Sequence, residues 1–245
     1  MEERPDIDSL LGPLVVAAPQ EVATYLELTD ADAVPSRRDL LLAKFYELSG
    51  EYELALQLCD SVIDTSTELD ACAMACISKA RLLYAHKPRT YPEIVNLLTR
   101  ATETADSPFL WGHALICLGM HYTYEEKEIE NAERFMTQSL NADLSSYSKG
   151  IVHQHLACWA QEKEQYAKAV QHYGLALQEV LSENGRAVIL TNLGRIYHQV
   201  YENNKVAQDY FSKALTLFQK AKIDYDASAE SLCVNGLAEC REESA

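Results

Sequence analysis

Residues 186–218 read RAVILTNLGRIYHQVYENNKVAQDYFSKALTLF. Leu190, Leu193, Gly194 and Tyr197 stand at i, i+3, i+4 and i+7, the spacing of one helix face. About a dozen residues after Gly194 a second set follows, Ala207, Phe211 and Ala214, at i, i+4 and i+7. The two sets have a steric logic. Antiparallel helices approach closely only where a small residue on one receives a bulky residue from the other.

The same arrangement recurs through the chain. Leu115, Leu118, Gly119 and Tyr122 repeat the first set, and Asp39, Leu42, Ala43, Tyr46 and His153, Leu156, Ala157, Ala160 are degenerate copies. The second set returns as Ala55, Cys59, Val62, as Ala132, Met136, Ser139 and as Ala169, Tyr173, Ala176. Ala43 precedes Gly119 by 76 residues, Gly119 precedes Ala157 by 38 and Ala157 precedes Gly194 by 37, so the copies are in register. Between the first and third copies, Ile94, Leu98 and Ala101 keep the spacing of the second set. The matching first helix falls within residues 70–86, with its phase left open. Short polar turns join the paired helices, and Gly50 is placed as a helix stop.

This alternation resembles the tetratricopeptide repeat, a helix–turn–helix unit with Leu, Gly or Ala and Tyr on helix A, then Ala, an aromatic and Ala on helix B. The period exceeds the family's usual length of about 34 residues, and the proline that commonly closes each unit is absent from the copies. A long-period variant with slightly longer helices is implied. The resemblance implies an all-α protein, a right-handed α-α superhelix of about five helical hairpins with capping helices at both ends. The expected organisation is an acidic N-terminal cap and linker over 1–35 and an array over 36–223, divided near 36–69, 70–106, 107–145, 146–182 and 183–223. A capping helix and acidic tail over 224–245 complete it. Residues 8–17 and 20–28 read as short amphipathic cap helices, and Leu232, Gly236 and Leu237 are expected to pack the last helix on the fifth repeat.

Composition agrees with this reading. Nine glycines and seven prolines in 245 residues, with no proline after Pro108, leave too little turn chemistry for a sandwich or barrel. The net charge of -16 opposes nucleic acid and anionic membrane as partners, because binding phosphates requires cations. Acid is concentrated at the ends, eight acidic residues against Arg4 in 1–35 and six against Arg241 in 224–245. Cys59, Cys72, Cys76, Cys117, Cys158, Cys233 and Cys240 follow no metal-finger spacing and read as reduced core thiols. The longest apolar run, 10–18, is broken by Gly12 and Pro13 and is too short to span a bilayer. A cytoplasmic protein without cofactor or metal is expected.

The resemblance places ligands on the face lined by the A helices, at positions flanking the small residue. The partner-binding groove is therefore expected to comprise His113, Ile116 and Met120 of the third repeat, Gln154, His155, Cys158 and Gln161 of the fourth, and Thr191, Asn192, Arg195, His198 and Gln199 of the fifth. Asn, Gln and His can satisfy the amides of an extended peptide, and Arg195 can clamp a carboxylate. The lysines of a chaperone-type carboxylate clamp do not accompany Asn192 and Arg195. Histidines concentrated in the third to fifth A helices could make the groove pH-sensitive, but their spacing does not suit joint metal ligation. No phosphate loop, nucleophile elbow or metalloprotease motif is present, so no enzyme is expected. The function expected is a scaffold or adaptor that binds a peptide or amphipathic helix of another protein, as a monomer or weak dimer. The alternative is a ligand-responsive regulator that binds a small peptide and alters its own or a partner's conformation.

Overall fold

Gly50 stands at φ 82°, the left-handed conformation in which a chain leaves a helix, and the Glu51 N–H donates to the Tyr46 carbonyl at 2.8 Å. The chain thereby reverses from one helix into the next. The same reversal recurs with Glu164 and Glu202 left-handed in place of glycine, and Gln165 and Asn203 donate to the carbonyls of Ala160 and Tyr197, each at 2.8 Å. Turn geometry thus repeats where turn sequence does not.

The computed structural model describes residues 35–86, 91–179, 181–220 and 227–242. The helices expected at 8–17 and 20–28 lie outside them. Among the described residues the elements are α1 (Pro35–Leu48), α2 (Tyr52–Thr65), α3 (Leu69–His86), α4 (Tyr91–Thr104), α5 (Pro108–His121), a π-helical turn (Tyr122–Glu126) and α6 (Ile129–Ser139). They continue with α7 (Ser146–Glu162), α8 (Tyr166–Gln178), α9 (Glu183–Gln199), α10 (Asn204–Phe218) and α11 (Ala227–Glu242). Side chains cap several starts. Ser145, Ser182 and Asn203 accept hydrogen bonds from the backbone N–H of Ser148, Gly185 and Val206 at the heads of α7, α9 and α10.

The chain divides into two compact units between Asp143 and Leu144. The first pairs α1 with α2, α3 with α4 and α5 with α6, and also packs α1 on α3 and α3 on α5. One apolar cluster runs continuously from α1 to α5. The second helices present their expected sets to it: Ala55, Cys59 and Val62, then Ile94, Leu98 and Ala101, all buried. In the third hairpin Ala132, Met136 and Ser139 are buried as well.

The phase of the second A helix is now fixed. Residues 71–77 of α3 are all buried, so its apolar pattern points to no single face. Ala80, also buried, lies 37 residues after Ala43 and 39 before Gly119, and takes the small position of this repeat. One residue earlier, Lys79 reaches Asp60 of α2 at 2.7 Å and Glu93 of α4 at 2.8 Å. Burial opposes its charge, but hydrogen bonds to the two carboxylates outweigh that and raise its pKa.

The second unit pairs α7 with α8 and α9 with α10, and α11 packs on both α9 and α10. The closest approach is at Phe211. A Cβ added at Gly194 of α9 would meet its ring at 2.6 Å, and one added at Gly236 of α11 would meet it at 2.5 Å. The ring therefore fits only because two helices are bare at that point. Gly236 and Leu237 are buried as expected, whereas Leu232 is 46% exposed, lying a turn before Gly236 on the open side of the last helix.

Candidate functional site

The large position of helix B is apolar in four hairpins, as Cys59, Leu98, Met136 and Phe211, and is a tyrosine in the fourth. Tyr173 is fully buried, so its hydroxyl needs partners inside the protein. It donates to the Gln161 Oε1 at 3.1 Å, lies 3.4 Å from the Cys158 thiol, and hydrogen-bonds Asn192. Burial, with the neighbouring Cys158, pushes the phenol well above its ordinary pKa and keeps the hydroxyl protonated.

Above this hydroxyl opens a cleft of about 520 Å³ between α7, α8 and α9. Cys158, Gln161 and Glu162 line it from α7, Asn192, Arg195 and Gln199 from α9, and Tyr166, Ile196 and Val200 complete the wall. The lining is mostly amide, hydroxyl and charged groups over a small apolar area, chemistry that fits the backbone and polar side chains of an extended peptide. No ion pair joins Arg195 to a described acid, which leaves its guanidinium available to a carboxylate.

Five of the twelve expected groove residues meet here: Cys158, Gln161, Asn192, Arg195 and Gln199. His113, Ile116 and Met120 belong to the first unit, where Ile116 is buried and Met120 is exposed. Gln154 and His155 are half-buried on α7, where His155 lies against Trp159.

Two residues of the fifth repeat face α11 instead of open solvent. Thr191 is buried, donates to the Ala187 carbonyl at 2.9 Å and hydrogen-bonds the Cys233 thiol of α11. His198 contacts Asn204 Oδ1 at 2.8 Å and Glu239 Oε2 of α11 at 3.5 Å, beside a smaller hollow that it shares with Gln199, Glu202 and Asn204. The last helix covers the face that both positions would otherwise present.

Glu162, Tyr166, Tyr173, Ile196 and Val200 were not among the expected residues. Tyr173 carries the one readable signal, a hydroxyl at a position that is otherwise apolar.

Burial lowers the pKa of His113, His153 and His155, the first further through Arg81, so these rings stay neutral at pH 7. His153 Nδ1 lies 3.2 Å from His172 Nδ1, yet among the described residues no group of three or more His, Cys, Asp or Glu is placed to hold a metal. None of the seven cysteines is in a disulfide, and burial pushes Cys59 and Cys76 up to about 12 and Cys117 up to about 11, which marks these three as inert core thiols. No described helix is long and apolar enough to cross a membrane.

No family model and no curated protein matches the sequence. Solved structures do match in shape. Pseudomonas aeruginosa pilF superposes with a TM-score of 0.67 at 17% identity, over 95% of this chain and 93% of that one. A chain of the APC/C hetero-tetramer Cut9–Hcn1 gives 0.65 at 15% identity over 96% of this chain, and human IFIT1, solved as a dimer with PPP-AAAA, gives 0.58 at 14% over 92%. This chain spans 42% of the Cut9–Hcn1 chain and 51% of the IFIT1 chain. All three are tetratricopeptide-repeat proteins. The fold is that of a tetratricopeptide-like α-α solenoid.

In tetratricopeptide-like terms the cleft lies where two successive A helices, α7 and α9, do not pack on each other as α1 packs on α3 and α3 on α5. The B helix between them, α8, supplies the floor through Tyr173. A fold-level likeness of this kind shows the helical-repeat architecture alone, and any role must be argued from the chemistry of the cleft.

Proposed function

We propose that this chain is a protein-interaction module that binds an extended, polar segment of another polypeptide in the cleft between α7, α8 and α9. The observation that carries the reading is the convergence of Gln161, Asn192, Arg195 and Gln199 on one opening above a hydroxyl fixed in place by packing. Amide groups gathered at the opening replace the water lost by a peptide backbone, and the Arg195 guanidinium selects a segment that contains a carboxylate. The net charge of -16 disfavours a polyanion as the occupant, so the PPP-AAAA bound by IFIT1 is not the ligand class supported here. Nothing in the cleft joins a nucleophile to a base, and Cys158 is held as a thiol by burial, so the reading is of recognition without catalysis.

The test is site-specific photo-crosslinking. A benzophenone side chain at Gln199 should capture a discrete partner, and the yield should fall when Arg195→Ala is added. The same group at Lys213, exposed on α10, serves as the control. Equal capture from both positions, or a yield indifferent to Arg195→Ala, would overturn the assignment.

A further inference from the structure

Two histidines from the paired helices of the fourth hairpin meet ring to ring. His153 Nδ1 of α7 and His172 Nδ1 of α8 lie 3.2 Å apart, with the rings tilted by 31° and their centroids 5.3 Å apart. Seven residues earlier on α7 and seven later on α8, the Ser146 hydroxyl donates to Glu179 Oε2 at 2.6 Å. Seven residues are two turns, so the two contacts are rungs on one side of the same antiparallel pair, about 10 Å apart along it. The register of the helices therefore sets the spacing of the imidazoles, and neither ring has to be drawn in from a loop. Both histidines are half-buried, and neither lines the cleft.

As a hydrogen bond, this contact uses one Nδ1 as donor and the other as acceptor. The same distance suits a metal ion. Imidazole nitrogens stand about 2.0–2.1 Å from Zn(II), and two of them on adjacent corners of a tetrahedron are about 3.3–3.4 Å apart. A movement of a few tenths of an ångström therefore turns the pair into one edge of a coordination shell, the donating ring carrying its proton on Nε2 instead. Burial lowers the pKa of His153 and Glu179 opposes the shift only in part, so this ring keeps a lone pair for a metal at pH 7. The charge that acts on it is a carboxylate, which favours a cation beside the ring. No third His, Cys, Asp or Glu among the described residues joins the two, and their half-buried setting admits water to the remaining corners.

We infer that His153 and His172 form a two-histidine site for Zn(II), which binds through the two Nδ1 atoms and completes its shell with water. Imidazole suits late first-row divalent ions, and Ni(II) and Cu(II) belong to the same class of ligand. With two protein ligands the affinity is micromolar, well short of a closed structural zinc site. The bound ion ties α7 to α8 across the hairpin and so stabilises the folded chain. His198, which faces the carboxylate of Glu239 at 3.5 Å, provides the natural control. None of this requires a peptide in the cleft, so the site stands or falls independently of the proposed function.

The test is calorimetric titration of the full chain, without an affinity tag, with Zn(II) at neutral pH and in millimolar Mg(II), which occupies the carboxylates of an acidic protein. One ion per chain should bind in the micromolar range. His153→Gln and His172→Gln should each weaken binding at least about tenfold, and His198→Gln should leave it unchanged. Circular dichroism will show whether the variants keep their helices. The wild-type chain supplies a readout that needs no variant: in long-range ¹H–¹⁵N spectra Zn(II) should shift the Nδ1 resonance of both rings and leave both Nε2 atoms protonated. The unfolding midpoint should rise with Zn(II) concentration in the wild type and not in the two variants. A pair that is hydrogen-bonded and nothing more would give Nδ1 resonances indifferent to the metal and residual binding indifferent to both substitutions. Either of those results, or binding lost in His198→Gln, would overturn the inference.

Discussion

The two units are made of the same hairpin, yet they fill the space between hairpins differently. In the first, α2 meets α3 and α4 meets α5 over broad surfaces, and one apolar cluster extends from α1 to α5. In the second, α8 meets α9 over far less, and the described core falls into two clusters, one joining α7, α8 and α9 and the other joining α9, α10 and α11. The cleft opens at that weaker junction. A single change of residue type accompanies the difference: a tyrosine where the other hairpins place an apolar knob, with Gln161 and Asn192 gathered around its hydroxyl. A repeat protein can thus create a pocket without altering its hairpins, by making one junction polar.

The comparison is broken most severely at the knobs themselves. Phe211→Ala should cost about 3–5 kcal/mol, because it empties a site closed by two helices, and chemical denaturation should show the loss. Gly119→Ala and Gly194→Ala then set the two units against each other. The Gly194 methyl would meet a rigid ring at 2.6 Å, whereas the Gly119 methyl would meet the flexible Met136 at 2.8 Å. Gly194→Ala should therefore destabilise by about 1–3 kcal/mol. Gly119→Ala should cost less than Gly194→Ala, since helix propensity returns up to about 1 kcal/mol and the methionine can shift in part, although the Ala132 carbonyl oxygen at 3.3 Å yields less freely. Equal costs would show that the two interfaces yield alike.

A finer probe of the polar junction is Tyr173→Phe, which leaves Gln161 and Asn192 without their shared hydroxyl. A loss of about 1 kcal/mol in thermal or denaturant unfolding is expected. Replacing the left-handed Glu164 by glycine should stabilise by up to about 1 kcal/mol, and less if the carboxylate makes favourable contacts.

The smallest effect is that of pH. A histidine whose pKa is lowered on folding stabilises fully above its unfolded value near 6.5, and that stability is lost as pH falls through 6.5 toward the folded value, because the unfolded chain then binds more protons. Unfolding midpoints should accordingly drop between pH 7 and pH 5, and His113→Gln in the first unit and His155→Gln in the second should each flatten the slope.

What could be read in advance was what spacing encodes. Gly119 and Gly194 opposite Met136 and Phe211 are a steric pair visible at fixed separation. The phase of α3 was not visible, because Ala71, Cys72, Ala73, Ala75, Cys76 and Ala80 offer small residues on every side and only burial and the Lys79 ion pairs choose among them. The cleft was legible in the same partial way. Positions flanking the small residue named Cys158, Gln161, Asn192, Arg195 and Gln199, but a period cannot say that α11 will lie over Thr191 and His198. Nor does it reveal how far a buried phenol reaches, and so Tyr173 read only as core.

Phe211, held between Gly194 and Gly236, also defines a rule for building on this molecule. The final helix uses a bare backbone to seat itself on the preceding knob, as α9 does at Gly194 within its own hairpin. An added hairpin whose first helix carries glycine at the place of Gly236 would find a ready socket, and the stack could be lengthened by grafting with no residue upstream redesigned.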